Sequence, residues 1–167
     1  TSRRPDGHAN ARSRPITLEH PIMKRLIYSL AFVACVAVAG TPAFAQQSGG
    51  LRVEFQGPGG HSSGSYGRVS ALHAAARAVI LMQKALPAGS YQITNLTGGN
   101  SVNSIASDGL IEMKLTAKTA AAYQALVAAV TKAAADGAAA GNGFRGVKAG
   151  DLTSGAPATV RSVVTPF

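Results

Sequence analysis

Two glycine-rich stretches hold the side chains best suited to chemistry in this sequence. The first, Gly57-Pro58-Gly59-Gly60-His61-Ser62, sets an imidazole among residues that let the backbone approach another molecule closely. A histidine held there can donate to a developing oxyanion or a carboxylate, or titrate near neutral pH. The second, Gly98-Gly99-Asn100-Ser101-Val102-Asn103-Ser104-Ile105-Ala106, places a neutral amide at Asn103 beside a strand, where it can fix a polar substrate group. Each stretch taken singly also has a plainer reading. A histidine in a glycine loop is commonly a solvated surface residue, and Asn100 and Asn103 beside Gly-Gly are commonly turn formers. His73, inside a helical stretch, reads as structural or exposed. Ser62 and Ser63 have no second histidine or carboxylate close in sequence to complete a triad; Glu54 and Asp108 are acids that a fold could bring near.

The elements that must position these loops follow from hydrophobic period. Leu51, Val53 and Phe55 alternate with Arg52, Glu54 and Gln56, which predicts a half-buried strand. From Arg68 the period turns helical, with Val69, Leu72, Ala76, Val79, Met82 and Leu86 recurring every three or four residues until Pro87 and Gly89. Tyr91 to Leu96 reads as a second strand, and Ser101 to Ala106 as its extension or a new start. Asp108-Gly109 predicts a hairpin turn, because both residue types tolerate positive φ. A third strand buries Ile111, Met113 and Leu115. A second, alanine-rich helix runs from about Lys118 to Asp136, with Gly137 as its stop. Phe144 to Ala149 is the candidate fourth strand, and Asp151 to Phe167 reads as a tail. The order β-α-β-β-α-β closes as an α+β, ferredoxin-like domain: a four-stranded antiparallel sheet with both helices on one face.

Upstream of this domain the composition changes. Met23-Lys24-Arg25, an apolar run from Leu26 to Gly40, and Ala43-Phe44-Ala45 form the charged, apolar and small-residue order of a secretory signal. The run is shorter than the ~20 residues of a bilayer-spanning helix. The expected organisation is therefore residues 1–22 as an upstream non-native or mis-assigned segment, 23–45 as a signal peptide, 46–150 as the domain and 151–167 as a tail. The mature protein is expected to be exported, periplasmic or extracellular, with no membrane contact after cleavage. Cys35 leaves with the signal, so no disulfide can form. The net charge of +9 is partly a property of the leader: residues 1–45 carry six of the sixteen Lys/Arg and two of the seven Asp/Glu, leaving ten against five, a net +5. Those ten are scattered singly, which argues against a phosphate-tracking surface.

Taken together, Val53-Glu54-Phe55-Gln56-Gly57-Pro58-Gly59-Gly60-His61-Ser62 and Thr94-Asn95-Leu96-Thr97-Gly98-Gly99 followed by Asn103-Ser104-Ile105 resemble the dimerisation (lid) domain of metallopeptidase family twenty over residues 50–150 or so. That family includes bacterial di- and tripeptidases, acetylornithine deacetylase and related amino-acid deacylases. The resemblance implies that the lid is inserted into a zinc-bearing catalytic domain and that the lids of two subunits associate. It implies that His61 reaches the partner subunit's active site to stabilise a tetrahedral intermediate, and that Asn103, with Gly99, helps hold a peptide or N-acyl amino acid.

Two-zinc hydrolysis also needs clustered carboxylate and histidine ligands and a glutamate base. The family supplies them through a His-x-Asp pair, a Glu-Glu pair and a distant His. Here His8, His20, His61 and His73 are followed two residues later by Asn10, Ile22, Ser63 and Ala75, and no Glu-Glu occurs. No cofactor is thus expected in this chain, zinc being implied only for a catalytic domain that these residues do not contain, and no hydrolysis is expected of the chain alone. The expected partner is a second copy or a homologous catalytic chain. Two alternatives are a free-standing exported module that docks on a homologous hydrolase, and a small nucleic-acid binder using Phe55, Tyr91 and Phe144.

Overall fold

In chain order the elements are β1 (Gln47–Gln56), β2 (Gly60–His61), α1 (Ala71–Ala85), β3 (Tyr91–Thr97), β4 (Ser104–Ile105), β5 (Asp108–Ala117), α2 (Ala120–Phe144), β6 (Leu152–Thr153), β7 (Ala156–Pro157) and β8 (Arg161–Pro166). They come from a computed structural model that describes residues 46–167. The segment expected at 1–22, the signal expected at 23–45 and Cys35 lie outside the described residues.

The period-two alternation becomes the two faces of one sheet. β1 and β5 pair antiparallel with Leu51 opposite Met113 and Val53 opposite Ile111, so their apolar residues share one side. Those four side chains, with Phe55 and Leu115, are at most 2% exposed. Full burial of a side chain of this size stabilises by roughly 1.5–3 kcal/mol. β3 flanks β5 and β8 flanks β1, all antiparallel, in the order β3-β5-β1-β8. Both helices pack on the apolar side of this sheet, which is the expected α+β, ferredoxin-like arrangement.

Each helix starts at a hydroxyl cap. Ser70 accepts from His73 N, and Thr119 accepts from Ala122 N at 3.1 Å, each satisfying an otherwise unpaired first-turn donor. The buried face of α1 is Ala71, Ala74, Ala75, Ala78 and Met82. The expected stripe is met in part: Val69, Met82 and Leu86 are buried and Val79 packs against the core, but Leu72 is only half-buried and Ala76 is exposed.

Four other expectations are corrected. Gly137 does not stop α2, which continues to Phe144. A Cβ at Gly137 would lie 2.7 Å from Ala78 Cβ and 2.9 Å from Ala74 O, so the glycine is where the two helices meet. Phe144–Ala149 is accordingly not the fourth strand, and residues 151–167 are not a tail. They form the β6–β7 hairpin and then β8, the strand that completes the sheet. Asn142 fixes the entry to β8 by donating to Val160 O at 2.9 Å and accepting from Val160 N at 2.8 Å. Finally, Asp108-Gly109 is no hairpin turn but the start of β5, paired with Gln56 and Phe55. A Cβ on Gly109 would meet Ala71 O at 2.9 Å, so this glycine lets α1 close on the sheet.

Candidate functional site

The two glycine-rich loops are zipped together at one end of the sheet. Gly60 pairs with Ile105 and His61 with Ser104, making β2 and β4 a two-stranded ribbon that Ser62 N extends by donating to Asn103 O at 2.8 Å. Below it, Gly57 N donates to Ser107 O at 2.8 Å. Gly59 and Gly60 have φ of 55° and 134°, values that side chains oppose. A Cβ on Gly60 would collide with Ser65 Oγ and lie 2.9 Å from Arg68 Nη1, the guanidinium that clasps this turn by donating to Gly59 O at 2.9 Å.

The ribbon brings His61 and Asn103 together although 42 residues separate them. Asn103 Nδ2 lies 3.2 Å from His61 Nε2, and His61 Nδ1 lies 2.9 Å from Ser63 Oγ. Ser63 N also directs its N–H at Nδ1, at 3.3 Å, so both ring nitrogens face donors and which one carries the proton depends on the tautomer. The other face of the amide is taken too, since Asn103 Oδ1 accepts from Ser101 Oγ. Both residues are exposed, so the imidazole and the amide are presented outward as a pair. Among the described residues no carboxylate hydrogen-bonds the imidazole, so the Ser63-His61-Asn103 string there lacks the acid that polarises a Ser-His-Asp triad. To donate to an oxyanion, Nε2 must carry a proton and turn from the Asn103 amide nitrogen, since two N–H donors cannot bond each other.

Gly99 does not join this pair. Its N donates to the Asp108 carboxylate at 3.3 Å, and with φ of 74° it shapes a separate shallow groove of about 510 Å³. Gly98 comes closer still to β5, where a Cβ would be 2.5 Å from Asp108 O. The groove runs between this loop and the start of α1, and both Arg68 and Arg145 line it. Sequence reasoning passed over these two arginines, because each stands alone among uncharged neighbours. It also passed over Val102, whose side chain projects fully into solvent between Ser101 and Asn103.

The opposite face of the sheet is polar. Arg52 pairs with Glu112 at 2.8 Å, and Arg161 reaches Gln56 Oε1 at 2.7 Å. The Arg52 hydrogen bond, helped by one from Asn95, holds the Glu112 carboxyl below the usual carboxylate range. Phe55 is buried, Tyr91 packs against the core and Phe144 ends α2, so these three form no stacking platform there. Among the described residues no group of three or more His, Cys, Asp or Glu is placed to hold a metal ion, so this donor set does not fit a zinc centre.

Residues 46–142 match the family model described as "Peptidase dimerisation domain". No curated protein matches the sequence. Similar solved structures include the aminobenzoyl-glutamate utilization protein from Klebsiella pneumoniae, at 16% identity and a TM-score of 0.55 over 76% of this chain and 31% of that one. A tripeptidase from Staphylococcus aureus is 17% identical, with a TM-score of 0.53 over 72% of this chain and 29% of that one. A hydantoinase/carbamoylase family amidase from Burkholderia ambifaria is 19% identical, with a TM-score of 0.53 over 73% of this chain and 28% of that one. At these identities the likeness is one of fold, and the chain spans less than a third of the length of each of the three.

Proposed function

This chain belongs to the peptidase dimerisation domain family, and from that premise we propose that it is the dimerisation (lid) domain of a zinc-dependent exopeptidase or deacylase. Hydrolysis of the amide bond then requires a zinc-bearing catalytic domain outside the described residues, and the domain alone is inactive. In this reading the chain is exported and binds no nucleic acid. His61 acts in trans on the tetrahedral intermediate in a partner's active site, and Asn103 holds the carbonyl or carboxylate of a peptide or N-acyl amino acid.

The observation that carries this reading is the β3 side of the domain. Among the described residues β3 is paired only with β5, so its other edge presents backbone donors and acceptors with no strand partner there. α1 packs chiefly on β5, the neighbour of β3, and Ala74 and Ala78 point from α1 toward glycines of α2. At about 100° per residue, Leu72, Ala76, Val79 and Ile80 then fall on the side of α1 turned away from α2, the side of the sheet on which β3 is the edge. Ile80 is 51% exposed and Leu96 of β3 is 43% exposed. An unpaired edge beside an apolar helix face is built to meet a like surface, strand to strand and helix to helix. The exposed His61–Asn103 pair stands at the end of the same domain, with polar groups presented to something outside it.

Light scattering with size-exclusion tests the association. The full chain is expected to be a dimer, and Ile80→Glu, which sets a carboxylate in the apolar face, to be a folded monomer. A wild-type monomer would sink the dimer, and one that associates with a full-length homologous hydrolase would support the docking module instead. Zinc-dependent hydrolysis of N-acyl amino acids or dipeptides by the chain alone would overturn the claim that it is inactive without a catalytic domain.

A further inference from the structure

Asn142 is the only asparagine of the sequence that precedes a glycine; the others precede Ala11, Leu96, Ser101 and Ser104. An Asn-Gly pair is chemically labile, because glycine has no side chain to obstruct its own nitrogen as it turns back on the asparagine side chain. In an unfolded chain the Gly143 nitrogen attacks Asn142 Cγ. The new N–C bond closes a succinimide ring, the Cγ–Nδ2 bond breaks, and Nδ2 leaves as ammonia with the displaced proton. Water then opens the ring at either carbonyl and leaves an aspartate or its β-linked isomer at position 142. The balance is water in and ammonia out.

The fold holds the pair away from this reaction. Asn142 and Gly143 lie in the last turn of α2, which ends at Phe144. The Asn142 carbonyl accepts from Arg145 N and Val147 N, each at 3.0 Å, so the peptide between 142 and 143 cannot rotate without breaking both bonds. The side chain is tied as well, with Nδ2 donating to Val160 O at 2.9 Å and Oδ1 accepting from Val160 N at 2.8 Å. Val160 is buried, and the next residue begins β8. The Asn142 side chain swings free only when the entry to β8 comes off the end of α2.

Conversion would also undo the contact that prevents it. A carboxylate can still accept from Val160 N, but its second oxygen then faces Val160 O, where the amide had set a donor. Two acceptors opposed in a part-buried contact disfavour docking. The new negative charge would stand in the last turn of a helix, against the helix dipole.

We propose that Asn142 is a deamidation site gated by β8. While β8 is docked the site is protected, each release of the strand exposes it, and conversion weakens re-docking, so the change runs one way. The modified chain keeps β3, β5 and β1 paired but holds β8 loosely, which bares the second edge of β1.

Intact mass and peptide mapping test this on the full chain incubated at mildly alkaline pH, once folded and once in urea. Gly143→Ala is the control that keeps Asn142; the added Cβ meets nothing within 4 Å, so this variant folds. In urea, conversion is expected at Asn142 ahead of every other asparagine and largely lost in Gly143→Ala. In the folded chain it should slow by at least about tenfold, because only the opened fraction reacts. In Asn142→Asp, the β8 amides that pair with β1 should exchange with deuterium about tenfold faster than in the unmodified chain. Equal rates in the folded chain and in urea, or conversion spread evenly over the asparagines, would overturn the proposal. So would a folded Asn142→Asp with unchanged exchange along β8. The mass measurements need no folded Asn142→Asp, so loss of fold in that variant leaves the proposal exposed to the first two results.

Discussion

Glycine is concentrated in two regions of this domain and does opposite work in them. Along the seam between α1 and α2, Gly137 and Gly141 lie inside a helix, at a cost in helix propensity of about 1 kcal/mol each, and face Ala74 and Ala78. At the tip, Gly59, Gly60 and Gly99 adopt positive φ and hold two loops in register. The seam glycines are there for what they lack, a Cβ, so that two helices can approach. The tip glycines are there for where their backbone can go. Substitution at the seam should therefore be felt as stability, and substitution at the tip as the placement of His61 and Asn103.

The largest effect is expected for Gly137→Val. Its side chain must enter space already held by Ala78 Cβ at 2.7 Å and Ala74 O at 2.9 Å. Overpacking of this kind costs roughly 1–3 kcal/mol, seen as a lowered denaturant midpoint. A midpoint at or above wild type would mean that the helices separate freely and that the seam is no packing constraint. Gly98→Ala comes next. The new Cβ sits 2.5 Å from Asp108 O, but the loop is at the surface and can move, so the cost should be about 1 kcal/mol. The more telling readout is loss of NMR contacts between residues 61 and 104; if they persist, the tip does not depend on this close approach. The smallest change in stability is expected for Asn103→Ala, within about 0.5 kcal/mol, as for other exposed positions. Its His61 ring protons should nevertheless shift, because Nε2 loses its partner. An unmoved ring would show that the pair is not formed in solution, and a large loss of stability would erase the distinction between the regions.

What could be read from the sequence follows the same division. β1 and β5 were legible because each buries one side only, and Leu51, Val53, Phe55, Ile111, Met113 and Leu115 contrast with charged neighbours. α1 was legible as a helix, and its buried face in part, at Val69, Met82 and Leu86. Hydropathy weights Leu72 and Val79, whereas the core takes Ala71, Ala74, Ala75 and Ala78 because small side chains allow close helix contact. Gly137 was misread because a lone glycine looks the same in sequence whether it ends a helix or receives another one. β8 escaped notice because Val163 and Val164 are adjacent rather than alternating. At the tip, both His61 and Asn103 stood out by residue type. Their contact did not, because it depends on a ribbon of two two-residue strands, too short to have a period. Arg68 and Arg145 were invisible as a pair, since only the fold places the start of α1 beside the end of α2.

The position of β8 also governs how the domain comes to be made. Among the described residues β1 is the first strand, yet one of its two sheet neighbours, β8, is the last, and Arg161 meets Gln56 across 105 residues of chain. Pairings of such long range are slow to close, because the whole intervening loop must be ordered first. On the ribosome β1 therefore waits with one edge bare until β8 emerges, a state in which a neighbouring nascent copy can take the empty place. A chaperone that shields that edge would raise the yield of folded domain without touching any residue of the site.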